Sequence, residues 1–139
     1  MVSFTSEFRA AFADTDAAGI VHFTTVLFWV EATEEALFRE LKLPFFVQEE
    51  ERVKGFPRVR IECDYKFPVY REEVVTIALQ PQELGDKKLV WGFKATVQGR
   101  EVAAGALTTV YAHRTGTGAM AAALIPLPTL SGLRTYFKL

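Results

Sequence analysis

At 139 residues, half of them hydrophobic, the chain fits one compact domain over residues 1–139, a length at which about 70% of the unfolded surface can be buried. A formal net charge of -1, from 16 basic and 17 acidic residues, removes any general electrostatic basis for binding nucleic acid or an anionic membrane. No apolar run approaches the roughly 20 residues that cross a bilayer, Met1 through Glu7 lack the regions of a signal peptide, and the lone Cys63 has no partner for a disulfide or a Cys-based metal site, so the expected location is the cytoplasm.

Val2 to Phe12 alternates loosely, with Phe4, Phe8 and Phe12 on one side, as a half-buried first strand would. An Asp/Gly-containing stretch follows. From about Thr25 to Leu43 the apolar residues Val26, Val30, Leu37 and Leu41 recur at helical spacing, while Glu31, Glu35 and Arg39 repeat on another face. Thr24 or Thr25 is the expected cap, and Pro44 the expected stop. The helix's first half, Val26 to Val30, is apolar all round, which predicts that it is enclosed.

Phe45 to Phe56 reads as a polar connector. From Arg58 the alternation is strict: Val59, Ile61, Cys63, Tyr65 and Phe67 form a dry face, and Arg58, Arg60, Glu62, Asp64 and Lys66 a polar one. Val75, Ile77 and Leu79 mark a third strand, Pro81 to Asp86 a turn, and Leu89 to Val97 a fourth strand. Gln98 to Glu101 is a hairpin connection into a fifth strand, Val102 to His113, whose small residues predict a close neighbour. The tail has room for one short closing helix. Short connections favour antiparallel strands, and a sheet curved around a single helix has open edges suited to pairing with a second subunit.

Asp14 and Asp16 have an ordinary explanation, since aspartates shape turns and helix starts by accepting backbone N–H groups. Two features give Asp16 a further option. Gly19 permits unusual backbone conformations, and the segment leads into a helix N-terminus, where free N–H groups favour an anion or a developing oxyanion. A carboxylate beside such a site suits acyl transfer.

Phe12-Ala13-Asp14-Thr15-Asp16-Ala17-Ala18-Gly19-Ile20-Val21-His22-Phe23, followed by the apolar helix with Glu31 and then Leu43-Pro44, resembles the 4-hydroxybenzoyl-CoA thioesterase family of hotdog-fold acyl-CoA thioesterases. The resemblance implies an α+β hotdog fold, a curved antiparallel five-stranded sheet wrapped around one long central helix. It also implies an enzyme that cleaves an acyl-CoA thioester and works as a homodimer or homotetramer with its active site between subunits. Asp16 would be the catalytic carboxylate, as nucleophile or general base, and the Phe23 backbone N–H would polarise the carbonyl.

Gly19, His22 and Glu31 would border or support the substrate, with Asp14 structural. His22 stands where the family often has an aromatic, and Phe23 where related members more often have His. Lys87 and Lys88 are the candidates for the coenzyme A phosphates, ahead of Arg58, Arg60 and Arg114. Hydrolysis of this kind requires no metal and no cofactor, coenzyme A being part of the substrate. A non-catalytic acyl-CoA-binding module is the alternative. A hydratase fits less well, because no short segment carries its Asp-and-His motif.

Overall fold

Strand alternation and helical spacing recur in the computed structural model, which describes residues 2–139; Met1, the first residue of the expected domain, lies outside them. The elements run β1 (Phe4–Arg9), α1 (Phe23–Glu40), β2 (Val47–Glu49), β3 (Arg52–Gly55), β4 (Arg58–Tyr65), β5 (Val74–Leu84), β6 (Lys88–Val97), β7 (Arg100–Val110), β8 (Ala112–Thr115), β9 (Ala121–Ala122) and α2 (Leu127–Phe137). Five strands form one sheet in the order β1-β5-β6-β7-β4, every neighbour antiparallel. The long α1 packs against it, giving the hotdog arrangement that the motif implied. The core draws on residues from Phe4 to Phe137, with Val30, Leu37 and Phe38 of α1 meeting Val75, Ile77, Leu79, Leu89 and Trp91 of the sheet.

Alternation explains the central strands. Val75, Ile77 and Leu79 on β5 and Leu89 and Trp91 on β6 are fully buried, because one face of each strand turns to the helices. Gln98 and Gly99, both with positive φ, form the tip between β6 and β7, the backbone that a two-residue hairpin of matching twist demands. The small residues of β7 do have a close neighbour. A Cβ at Gly105 would overlap the Glu62 carbonyl oxygen of β4.

Several expectations are corrected. The connector from Phe45 to Phe56 contains β2 and β3, which join β8 and β9 in a second, four-stranded sheet. Pro81 to Leu84 extends β5 instead of turning, with a register shift between Pro81 and Glu83 that accommodates the residue lacking an N–H. The fifth strand breaks at Tyr111 into β7 and β8. Helix α1 starts at Phe23, capped by His22 and not by a threonine, and ends at Glu40.

Two burial expectations also change. The β4 face carrying Val59 and Ile61 is open, at 58% and 45% exposure, because β4 lies at the sheet's edge and not under α1. Likewise α1 is covered on one side only, through Val26, Trp29 and Val30, while Phe28 is 68% exposed.

Candidate active site

The Asp14 to Phe23 stretch folds as a tight loop pinned to the sheet side of the molecule. The Asp16 N–H donates to the Ile20 carbonyl at 2.8 Å, and the Gly19 N–H donates back to the Asp16 carbonyl at 3.0 Å. Gly19 makes this reversal with φ +81, and a Cβ there would meet no atom within 4 Å, so backbone conformation and not space selects glycine. The Val21 N–H donates to the Val69 carbonyl at 2.8 Å, holding the loop against the segment that leads into β5.

The two aspartates divide their work. Asp14 Oδ2 accepts the Ala11 N–H at 2.8 Å, and its carbonyl accepts both the His22 N–H at 2.8 Å and the Thr25 hydroxyl at 3.1 Å. Asp14 therefore joins the loop to the helix start. Asp16 Oδ1 accepts only the Ala18 N–H, at 2.8 Å, while Oδ2 has no hydrogen-bond partner among the described residues. One carboxylate oxygen is anchored and the other is available.

The first turn of α1 lies beside this oxygen's cleft. His22 Nδ1 accepts the Thr24 N–H at 3.2 Å and sits 2.6 Å from the Thr24 hydroxyl. An imidazole accepting at Nδ1 carries its proton on Nε2; this tautomer is assigned from the hydrogen-bond partners. The Phe23 N–H, the first of the helix, has no acceptor among the described residues, so it retains the donor capacity of a helix start. Asp16 and Phe23 line the same cleft, about 500 Å³ in volume, with Ile20, Tyr65, Phe67 and Val69 among its other walls. Asp16 also borders a second cleft of about 550 Å³, together with Gly19, Phe12, Tyr70 and Arg71.

The structure thus brings Asp16, Gly19 and Phe23 to one place. His22 sits at the same helix start but lines neither cleft, its ring stacked on Phe23 at 4.8 Å between centroids. Glu31 lies two turns further along α1 and pairs with Arg58 at 3.0 Å. Lys87 and Lys88 stand at the opposite end of β6 from the strand residues nearest Asp16, and Lys88 pairs with Glu83 at 3.4 Å. Within the chain, those lysines border neither cleft of Asp16.

Two groups escaped the sequence reading. Tyr65, assigned to a dry face, donates its hydroxyl to the Phe23 carbonyl at 2.7 Å. Its partial burial raises the hydroxyl's pKa, with Cys63 adding to the effect, so Tyr65 stays protonated and donating. Glu34 is fully buried on α1 and takes Arg58 Nη2 on Oε1 at 2.6 Å, leaving Oε2 without a partner. Burial raises the Glu34 pKa against the opposing pull of Arg58. Strict alternation on β4 gave no signal for the first, and no spacing links Arg58 to a carboxylate 24 residues away.

Among the described residues no group of three or more His, Cys, Asp or Glu side chains is placed to hold a metal ion, and no helix is long and apolar enough to cross a membrane.

With the site's geometry in view, comparison with known proteins adds its family. The family model described as the thioesterase superfamily matches residues 18–104. The chain is 33% identical over 104 residues to a 1,4-dihydroxy-2-naphthoyl-CoA hydrolase from Synechococcus sp. (strain CC9605), covering 71% of this chain and 70% of that one. A hydrolase of the same name from Nostoc punctiforme is 35% identical over 98 residues, 69% of this chain and 65% of its own length. The chain therefore spans about two thirds of the curated relatives it matches.

Among solved structures, BH1999 gentisyl-coenzyme A thioesterase superposes with a TM-score of 0.77 at 31% identity, covering 96% of this chain and 98% of that one. A 4-hydroxybenzoyl CoA thioesterase complexed with 4-hydroxybenzoyl CoA shares the fold, with a TM-score of 0.81 at 22% identity over 94% of this chain and 98% of that one. The chain belongs to the thioesterase superfamily, as a hotdog-fold member of the 4-hydroxybenzoyl-CoA thioesterase family.

Proposed function

We propose that the chain is an acyl-CoA thioesterase that hydrolyses its substrate to a carboxylic acid and free coenzyme A, with Asp16 as the reacting carboxylate. The observation that carries this reading is that one partnerless oxygen of Asp16 and one acceptorless N–H of Phe23 belong to residues of the same cleft. The thioester carbonyl oxygen would take the Phe23 N–H at the positive end of α1, where developing negative charge is stabilised. Asp16 Oδ2 would attack the carbonyl carbon or take a proton from the water that does. The carbon–sulfur bond breaks and the departing thiolate leaves as coenzyme A with a proton from the water consumed; on the nucleophilic route that water cleaves the Asp16–acyl anhydride, and on the general-base route it adds directly to the acyl carbon.

An aromatic acyl group suits this cleft. Phe23, Tyr65 and Phe67 supply ring surfaces for its walls, and rings pack well against rings edge-on or offset. The relatives named above act, by their names, on dihydroxynaphthoyl and gentisyl thioesters. A homodimer or homotetramer is part of the proposal, supported by the uncovered apolar side chains of Val59 and Ile61 on β4 and Phe28 on α1.

Release of free thiol across a panel of aromatic and aliphatic acyl-CoA esters tests the reading. Turnover is expected, fastest with aromatic esters. Thermal stabilisation by the same esters with no thiol released would overturn hydrolysis in favour of a binding module.

A further inference from the structure

We propose that Tyr65 is a positioning residue of this site: its hydroxyl and the His22 imidazole clamp the peptide group between Phe23 and Thr24 from its two ends, keeping the Phe23 N–H aimed at the substrate carbonyl. The inference rests on the assignment of that N–H as the carbonyl's donor.

The geometry is specific. Tyr65, at the end of β4, donates to the Phe23 carbonyl at 2.7 Å across 42 residues of sequence. Its ring meets the Phe23 ring edge-on, with centroids 6.4 Å apart and an interplanar angle of 86°. At the other end of the same peptide, the Thr24 N–H donates to His22 Nδ1. Hydrogen bonds at both the C=O and the N–H fix the plane of this amide, and with it the rotation of the backbone at Phe23. Among the described residues the Phe23 N–H itself has no acceptor.

A clamp of this kind answers a physical weakness. The opening turn of a helix lacks intrahelical acceptors for its N–H groups and is prone to fray. A donor that must hold a developing oxyanion tolerates little drift, since misplacement by about 1 Å can cost about 100-fold in rate. Tethering the turn to the edge strand that also walls the cleft keeps donor and acyl pocket in one frame. His22 then acts through the helix it caps, without touching the substrate.

Tyr65→Phe is the test, because it retains the ring and its contact with Phe23 and removes only the hydroxyl. The expected result is a fall of about tenfold in kcat with KM changed by less than about twofold. The second readout is the carbonyl stretch of a carbon-13-labelled thioester bound to Asp16→Asn protein. Its band should lie below the solution value, and should return toward that value when Tyr65→Phe is added. A kcat within about twofold of wild type, or a fall in kcat with the band unmoved, overturns the clamp.

Should Tyr65→Phe lose its fold, 4-aminophenylalanine at position 65 keeps a donor in the same place. It is expected to restore kcat to within about threefold of wild type, and failure to restore it in folded protein overturns the clamp. Failure of the underlying assignment is distinguishable: there the carbonyl band in Asp16→Asn alone already lies at the solution value, whereas a lowered band in Asp16→Asn with an undiminished kcat in Tyr65→Phe removes only the clamp.

Discussion

Arg58 on β4 reaches the buried carboxylate of Glu34 on α1 at 2.6 Å, tying the edge strand of the sheet to the central helix. The same guanidinium contacts Glu31 at 3.0 Å, but the Glu31 side chain is 53% exposed whereas that of Glu34 is fully buried. Removing Arg58 leaves Glu34 inside without its counter-charge, so Arg58→Met should cost about 3–5 kcal/mol of unfolding free energy. Glu31→Gln, which removes only a solvent-screened pair, should cost less than about 1 kcal/mol. Urea denaturation of the two variants checks the contrast, and equal losses would count against it.

Glu34 also predicts a pH dependence. Its folded pKa is raised above the ordinary 4.5, chiefly by burial, with Arg58 pulling the other way. Between 4.5 and the higher folded value, the folded state holds a proton that the unfolded state has already lost. The Glu34 contribution is therefore most favourable below 4.5 and declines as pH rises through the folded pKa, after which it is flat. Glu34→Gln lacks this titration, so its stability relative to wild type should improve with rising pH across that window. A relative stability that worsens with rising pH would show that Arg58 outweighs burial.

At the entrance to α1, His22→Ala removes the acceptor for the Thr24 N–H and should cost about 1 kcal/mol, as loss of a helix cap does. His22→Asn, which supplies another capping acceptor, should recover most of that loss. Thermal unfolding of both variants measures it; an equal drop in each would mean that the ring's stacking on Phe23, and not the cap, supplies the stability.

Two glycines should respond differently to a methyl group. Gly19→Ala has open space around it but must hold a positive φ, at about 1–2 kcal/mol. Gly105→Ala must push β4 and β7 apart at the Glu62 carbonyl, and should lose several kcal/mol or fail to fold. Denaturation midpoints order the two, and Gly105→Ala being the milder change would contradict the sheet register described.

Much of this architecture is readable along the chain. Val75, Ile77 and Leu79 alternate because one face of β5 is fully buried, and Val26, Val30 and Leu37 recur at helical spacing because one side of α1 meets that face. The Asp16, Gly19 and Phe23 cluster is local in sequence, so it too was legible. What the sequence hides depends on strand order and on contacts between distant residues. The β4 alternation resembles that of a covered strand, yet β4 lies at the edge. Tyr65 meets Phe23 only because β4 ends beside the start of α1. Lys87 and Lys88 are placed away from Asp16 by the direction in which β6 runs.

The central claim is that the Asp16 carboxylate performs the hydrolysis, and Asp16→Asn tests it most directly. The amide keeps the shape of the side chain and an oxygen for the Ala18 N–H, but it neither attacks a thioester nor removes a proton from water. Thiol release should fall by about 100-fold or more with the melting temperature little changed. Folded Asp16→Asn protein that releases thiol at the wild-type rate would contradict the account.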